Sequence, residues 1–252
     1  MTPTAVVIGA ASGIGWATAQ TLAVDHTVTV ADRNADGARA RAEELGAPHS
    51  SAYVDVTDEE SVAALFDGTA PAAVVNCAGF SGFSPIIDLP VEQFREVVDV
   101  CLTGAFLVIK HAGRVMTTGG SIVSLASLNA RQPGVGMSAY CSAKAGLAML
   151  TEVAALELGS RGIRVNAVSP GFVPTPLTEA AALIPGVVEE YMENTVLGRT
   201  GTPQDIADAV AFLSSQKAAW LTGEVLDLNG GAHLKRYPNI HEHLVKFAGQ
   251  AQ

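Results

Sequence analysis

The chain has 252 residues, 48% hydrophobic and only 16% charged, enough apolar material for a large buried core and for surface covered by association. Its formal charge of −10 argues against nucleic acid as a partner, which needs clustered Lys and Arg, and against an acidic carrier protein. The three cysteines, Cys77, Cys101 and Cys141, lack CxxC spacing, so no metal is expected and a reducing cytoplasm is.

In chain order, the apolar N-terminal stretch MTPTAVVIGAASG has no basic leader, and no apolar run reaches the roughly 20 residues of a membrane helix; a soluble intracellular protein is expected. Short β-branched runs predict strands over residues 4–9, 27–32, 51–56, 72–76, 120–125, 163–169 and 224–228. Helical patterns predict helices over 15–23, 35–46, 58–66, 91–100, 142–158 and 203–215. Continuous apolar strands between amphipathic helices belong to a parallel sheet covered on both faces. With no linker or repeat, an α/β fold of a single Rossmann-type doubly wound domain over 1–252 is expected, with a C-terminal tail from about 232. Its binding crevice belongs beyond the carboxyl ends of the strands.

The first strand runs into GAASGIG, with Gly9, Gly13 and Gly15 between a strand and a helix, where backbone N–H groups and the helix dipole can hold a pyrophosphate. A tight turn would use the same glycines. Asp32 closes the second strand, where an acid can accept from an adenosine ribose and repel a 2′-phosphate, favouring NAD; Arg33 beside it argues for NADP. Asp55 can accept from an adenine amino group or serve as a turn residue. The NCAG run, Asn76 to Gly79, lets a backbone pass close to a ribose. Tyr140 and Lys144 stand i and i+4 on a predicted helix, so their side chains can meet.

The ordered set GAASGIG, Asp32, DVT at 55–57, NCAG, Ser127, Tyr140/Lys144, NAVSPG at 166–171 and LTGEVLDLNGG resembles the short-chain dehydrogenase/reductase family from Val6 to about Gly231. The resemblance implies a seven-stranded parallel sheet between two helix layers, and a homotetramer or homodimer. It implies hydride transfer between NAD(H) and a small-molecule alcohol or ketone. Tyr140 is then the acid/base, its phenol lowered from about 10 by the Lys144 ammonium and an oxidised nicotinamide. Lys144 also bonds the nicotinamide ribose. Ser127 precedes Tyr140 by the family's offset, which selects it over Ser124, and stabilises charge on the substrate oxygen. The implied dinucleotide set further includes Ser12, Ile14, Val56, Ala78, Pro170 and Gly171. Val173 and Thr175 fall where the family holds the carboxamide, although Thr175 can equally cap the next helix.

Three positions depart from the family: Ile8 where Thr is usual, Cys77 for a second Asn, and Cys101 for the catalytic Asn. The Asn role is not transferred to Cys101; the three changes together predict one repacked, drier patch below the cofactor. The variable stretch after the SPG turn, with Phe80, Phe83 and Leu128, predicts an apolar pocket for a hydrophobic secondary alcohol, with Arg131 a solvated loop residue. The alternatives are a 3-oxoacyl-thioester reductase, or a non-catalytic NAD-binding scaffold; retention of Ser127, Tyr140 and Lys144 disfavours the scaffold, and a methyltransferase would not need the Tyr140/Lys144 pair. Ala143, Leu147, Leu150 and Ala154 predict an intersubunit helix face. Tyr237, Leu244 and Phe247 of the tail are expected to pack on a neighbouring subunit, and its His241/His243 pair is read as coincidence rather than a metal site.

Overall fold

The computed structural model describes residues 2–250. Seven strands, β1 (Thr4–Ile8), β2 (Thr27–Asp32), β3 (Ser50–Tyr53), β4 (Ala73–Asn76), β5 (Gly120–Leu125), β6 (Ile163–Pro170) and β7 (Val225–Leu228), form one sheet in the order β3-β2-β1-β4-β5-β6-β7. Every pairing is parallel. The order reverses between β1 and β4, the switch point at which a doubly wound sheet opens its crevice.

The helices are α1 (Gly13–Leu22), α2 (Ala35–Leu45), α3 (Glu59–Phe66), α4 (Val91–Val98), α5 (Gly104–Val115), α6 (Ser138–Leu158), α7 (Glu179–Ala182), α8 (Val187–Glu193), α9 (Pro203–Ser214) and α10 (Ile240–Gln250). Local signals start several of them. Asn34 and Asp58 accept from first-turn N–H groups of α2 and α3, and Thr202 with Asp205 forms a capping box ahead of α9, where Pro203 takes the first position. Alternate β1 residues feed the two sides of the sheet. Val6 and Ile8 pack against α3, α5 and α6, whereas Ala5 and Val7 pack against α1, α2 and α9. A third apolar cluster, built from α4, α6, α8 and α10, contains Tyr140.

Two packing expectations need correction. Ala143, Leu147 and Ala154 are buried within the chain, and the outward stripe of α6 is Met149, Val153 and Leu156. The 3.6-residue period identifies an apolar face but not the partner that covers it. Tyr237 and Leu244 pack on this chain's own third cluster, while Phe247 stays exposed. Ile8, Cys77 and Cys101 pack against different apolar clusters, yet Cys77 N–H donates to the Ile8 carbonyl at 2.9 Å and Cys77 and Cys101 both bear on Lys144. No described helix is long and apolar enough to cross a membrane.

Candidate active site

A cleft of about 730 Å³ opens over the carboxyl ends of the strands. Its nucleotide half is built by the turn from β1 to α1. Gly9 and Gly13 have φ of +74° and +56°, in the left-handed region that glycine tolerates. A Cβ on Gly9 would lie 2.9 Å from the Ala78 nitrogen, and one on Gly15 would overlap the Gly9 carbonyl oxygen. The backbone therefore passes where only glycine fits. Ser12 precedes α1 without a side-chain cap, which leaves the first-turn N–H groups facing the cleft free for an anion. These features fit a dinucleotide pyrophosphate.

Asp32 is fixed on the cleft wall: one carboxylate oxygen accepts from Ala11 N at 3.0 Å and the other from Asn34 N at 2.9 Å. Arg33 is exposed, lines the cleft beside Asp32, and its charge acts weakly on Asp55. Asp55 accepts from the Thr57 hydroxyl at 2.7 Å and its N–H at 2.9 Å, and these bonds, with a smaller pull from Arg33, hold its carboxyl below the usual range. Ile14, Val56, Ala78, Gly79, Pro170, Gly171, Val173 and Thr175 all line the cleft. Asn76 does not; it is buried and accepts from Ala78 N at 3.1 Å, holding the next turn in place. Thr178, unremarked in the sequence, binds the Val173 carbonyl at 2.8 Å and accepts from Thr175 N at 2.9 Å. Thr178, not Thr175, directly precedes α7, and its hydroxyl ties the turn rather than capping the helix.

Ser127, Tyr140 and Lys144 meet in the middle of the cleft. Ser127 lies two residues past the end of β5 and accepts from Asn129 N at 3.2 Å, whereas the Ser124 hydroxyl is buried within the sheet. Lys144 is buried, donates to the Leu125 carbonyl at 2.5 Å, and has Nζ 5.6 Å from the Tyr140 ring centroid. Burial pushes the Tyr140 phenol up, and the neighbouring Cys101 adds to that, while the nearby Ser127 hydroxyl opposes them. Burial pulls the Lys144 ammonium down, against the influence of Cys101 and Cys77. Protein groups alone thus favour a neutral phenol, opposite in sign to the phenolate expected from the Tyr/Lys spacing.

Cys101 lies in a π turn, Asp99–Thr103, between α4 and α5, and its thiol donates to the Phe80 carbonyl at 3.3 Å. The substrate half of the cleft is lined by Phe80, Phe83, Leu128, Met137, Phe172, Ile184, Tyr191, Tyr237, Ile240 and Leu244. Arg131 is no free cation, since it pairs with Asp227. Among the described lining residues the only cations are Arg33 and Lys144. His243 binds Glu190 and His241 stacks on Phe83, so the two tail histidines serve different partners. Asn129 and Tyr191 drew no attention in the sequence, because nothing local marks them.

A family model described as enoyl-(acyl carrier protein) reductase matches residues 9–233. A cis-4-hydroxycyclohexanecarboxylate dehydrogenase of Sinomonas cyclohexanicum is 41% identical over 238 residues, covering 90% of this chain and 95% of its own. A human (3R)-3-hydroxyacyl-CoA dehydrogenase is 33% identical over 247 residues, covering 90% and 94%. The solved structure of a short-chain type dehydrogenase/reductase from Mycobacterium ulcerans superposes with a TM-score of 0.93 at 32% identity, covering 99% of this chain and 96% of that one.

Proposed function

This chain belongs to the short-chain dehydrogenase/reductase family and is an oxidoreductase of CH–OH groups, and from that premise we propose that it interconverts a hydrophobic secondary alcohol and its ketone with NAD(H). The observation that carries the reading is the convergence of Ser127, Tyr140 and Lys144 with the glycine loop in one cleft whose far half is apolar. When bound, the oxidised dinucleotide supplies the hydride acceptor and a positive ring charge that favours the phenolate. Tyr140 takes the alcohol proton as the carbinol C–H bond breaks, and returns it in ketone reduction. Ser127 donates a hydrogen bond to the reacting oxygen. Lys144 is held against the Leu125 carbonyl and over the Tyr140 ring, and would hold the nicotinamide ribose of a bound dinucleotide.

Asp32 supports NAD over NADP, because its anchored carboxylate repels a 2′-phosphate; Arg33 on the same cleft wall acts in the opposite sense. The apolar substrate half supports a neutral ring or chain. The alicyclic alcohol named for the Sinomonas relative has that shape, although its carboxylate would find no cation among the described residues lining the apolar half. A second reading, a 3-oxoacyl thioester, is favoured by the acyl-CoA relative.

The test is turnover of cyclohexanol, 2-octanol and acetoacetyl-CoA with NAD(H) and NADP(H), for the wild type and Tyr140→Phe. The expected result is NAD-preferring oxidation of an alcohol, with turnover falling roughly 100-fold in the variant while NAD still binds. Preference for NADP would reassign the role of Asp32, selective reduction of acetoacetyl-CoA would favour the thioester, and near-normal turnover by Tyr140→Phe would move the chemistry elsewhere.

A further inference from the structure

The C-terminal segment reaches back into the cleft and joins a hydrogen-bond chain that ends at Ser127. The Tyr237 hydroxyl lies 3.2 Å from Asn129 Oδ1 and 3.3 Å from Met137 Sδ. It has one proton, and a carbonyl oxygen is the far stronger acceptor, so the proton goes to Asn129. Tyr191, 2.7 Å from the Tyr237 hydroxyl, must then be the donor in that pair. Asn129 Oδ1 faces a second donor, the Ser127 hydroxyl at 3.3 Å, and its own amide nitrogen is tied to the Gln132 carbonyl at 3.1 Å.

Two donors thus converge on one oxygen, whose two lone pairs accept both while each bond weakens the other. Both bonds, 3.2 Å from Tyr237 and 3.3 Å from Ser127, are long against the roughly 2.7–2.8 Å usual for O–H···O, as expected where two donors share one acceptor. Without Tyr237, Asn129 would take the Ser127 proton more tightly and aim it away from the reacting oxygen.

We propose that Tyr237 is a positioning residue which, by satisfying Asn129, leaves the Ser127 proton free to turn towards the substrate oxygen and Tyr140. This rests on Ser127 acting as proposed above, and it makes the C-terminal segment part of the catalytic apparatus of its own chain. The ionisable groups facing the Tyr140 phenol are Lys144 on its own helix, Cys101, Cys141, Tyr191 and Tyr237. Of the groups around it, the one that Tyr237→Phe disturbs through Asn129 is the Ser127 donor.

The experiment is a double-mutant cycle on the full chain with NAD and whichever of cyclohexanol and 2-octanol is oxidised faster. It compares wild type, Tyr237→Phe, Ser127→Ala and the double variant, with kcat followed across pH. Tyr237→Phe keeps the ring that packs edge-on against Tyr191, and an unchanged Tm verifies that the fold survives. It should lower kcat about 10-fold, the equivalent of one hydrogen bond. Its alkaline rise in activity should move to higher pH, because the phenol loses help from Ser127. In the Ser127→Ala background it should cost nothing further. Equal losses in both backgrounds, an unmoved pH profile, or unchanged kcat would overturn the inference alone. Ser127→Ala as fast as wild type, or a wild type inert towards both alcohols, would overturn the underlying reading and the inference with it.

Discussion

Cys101 is 1% exposed, and its thiol is satisfied by the Phe80 carbonyl in a turn where the π geometry already departs from the regular helix ladder. A serine there keeps one donor of similar reach, so Cys101→Ser should leave turnover within about 2-fold of wild type. An asparagine brings two donors and two acceptor sites into a space where the described thiol makes one bond. Cys101→Asn should therefore lower stability by about 1–3 kcal/mol in urea titrations, the cost of an unsatisfied buried amide. An equally stable and faster Cys101→Asn would mean that the pocket had been waiting for the amide. At this scale, what could be read in advance depended on distance along the chain. Tyr140 and Lys144 are four apart on one helix, and the glycines of the loop are contiguous with their strand. Tyr237 and Asn129 are 108 residues apart, and only the folded topology brings them together.

The loop that carries Tyr237, with the start of α10, is docked by Glu190 on α8, a buried carboxylate that pairs with Arg236, binds His243 Nε2 at 2.7 Å and accepts from Asn239 N at 3.2 Å. Burial alone would raise its pKa, but the bonds from His243 and Arg236 outweigh it and the net shift is downward. A lowered carboxylate contributes its full stability above its unfolded value, near 4.3, and loses it as pH falls through the lower folded value. Docking of α10 should hold throughout the neutral range and weaken only below the ordinary carboxylate range. Glu190→Gln should loosen it at pH 7, raising amide hydrogen exchange over 236–245 by about tenfold or more, because charge-assisted bonds contribute about 1.5–3 kcal/mol. Exchange unchanged in Glu190→Gln would assign the docking to apolar packing by Ile240 and Leu244. None of this clamp was legible locally, since Glu190 reads as one more acid on a short helix. The strands were more readable: β5 spans the same residues as expected, while β3 stops at Tyr53, where β2 ends at Asp32 and pairing runs out. Helix α5 was missed because GAFLVI is a continuous apolar run, which periodicity cannot divide between buried strand and buried helix.

For the molecule as a whole, the unexplained surface is the outer side of α6, where Met149 is 58% and Leu156 85% exposed, with Val153 between them. The three are spaced by four and three residues and therefore share one stripe. On the neighbouring helix α5, Phe106 is exposed as well. The composition pointed to apolar surface in excess of the core, and the structure locates part of it on a different face of α6 from the stripe expected to mediate assembly. Apolar side chains gathered in this way mark association more often than chance exposure. The chain is expected to run as a dimer or tetramer in sedimentation equilibrium, with α6 at a two-fold contact. Because the stripe is already solvated in the isolated chain, Met149→Glu with Leu156→Glu should cost the subunit fold under about 1 kcal/mol. The same pair would place like charges opposite each other across a two-fold axis and desolvate them, splitting the assembly to a smaller species. A wild type that sediments as a monomer refutes assembly altogether. An oligomer unaffected by the double substitution shows that the contact lies on another face.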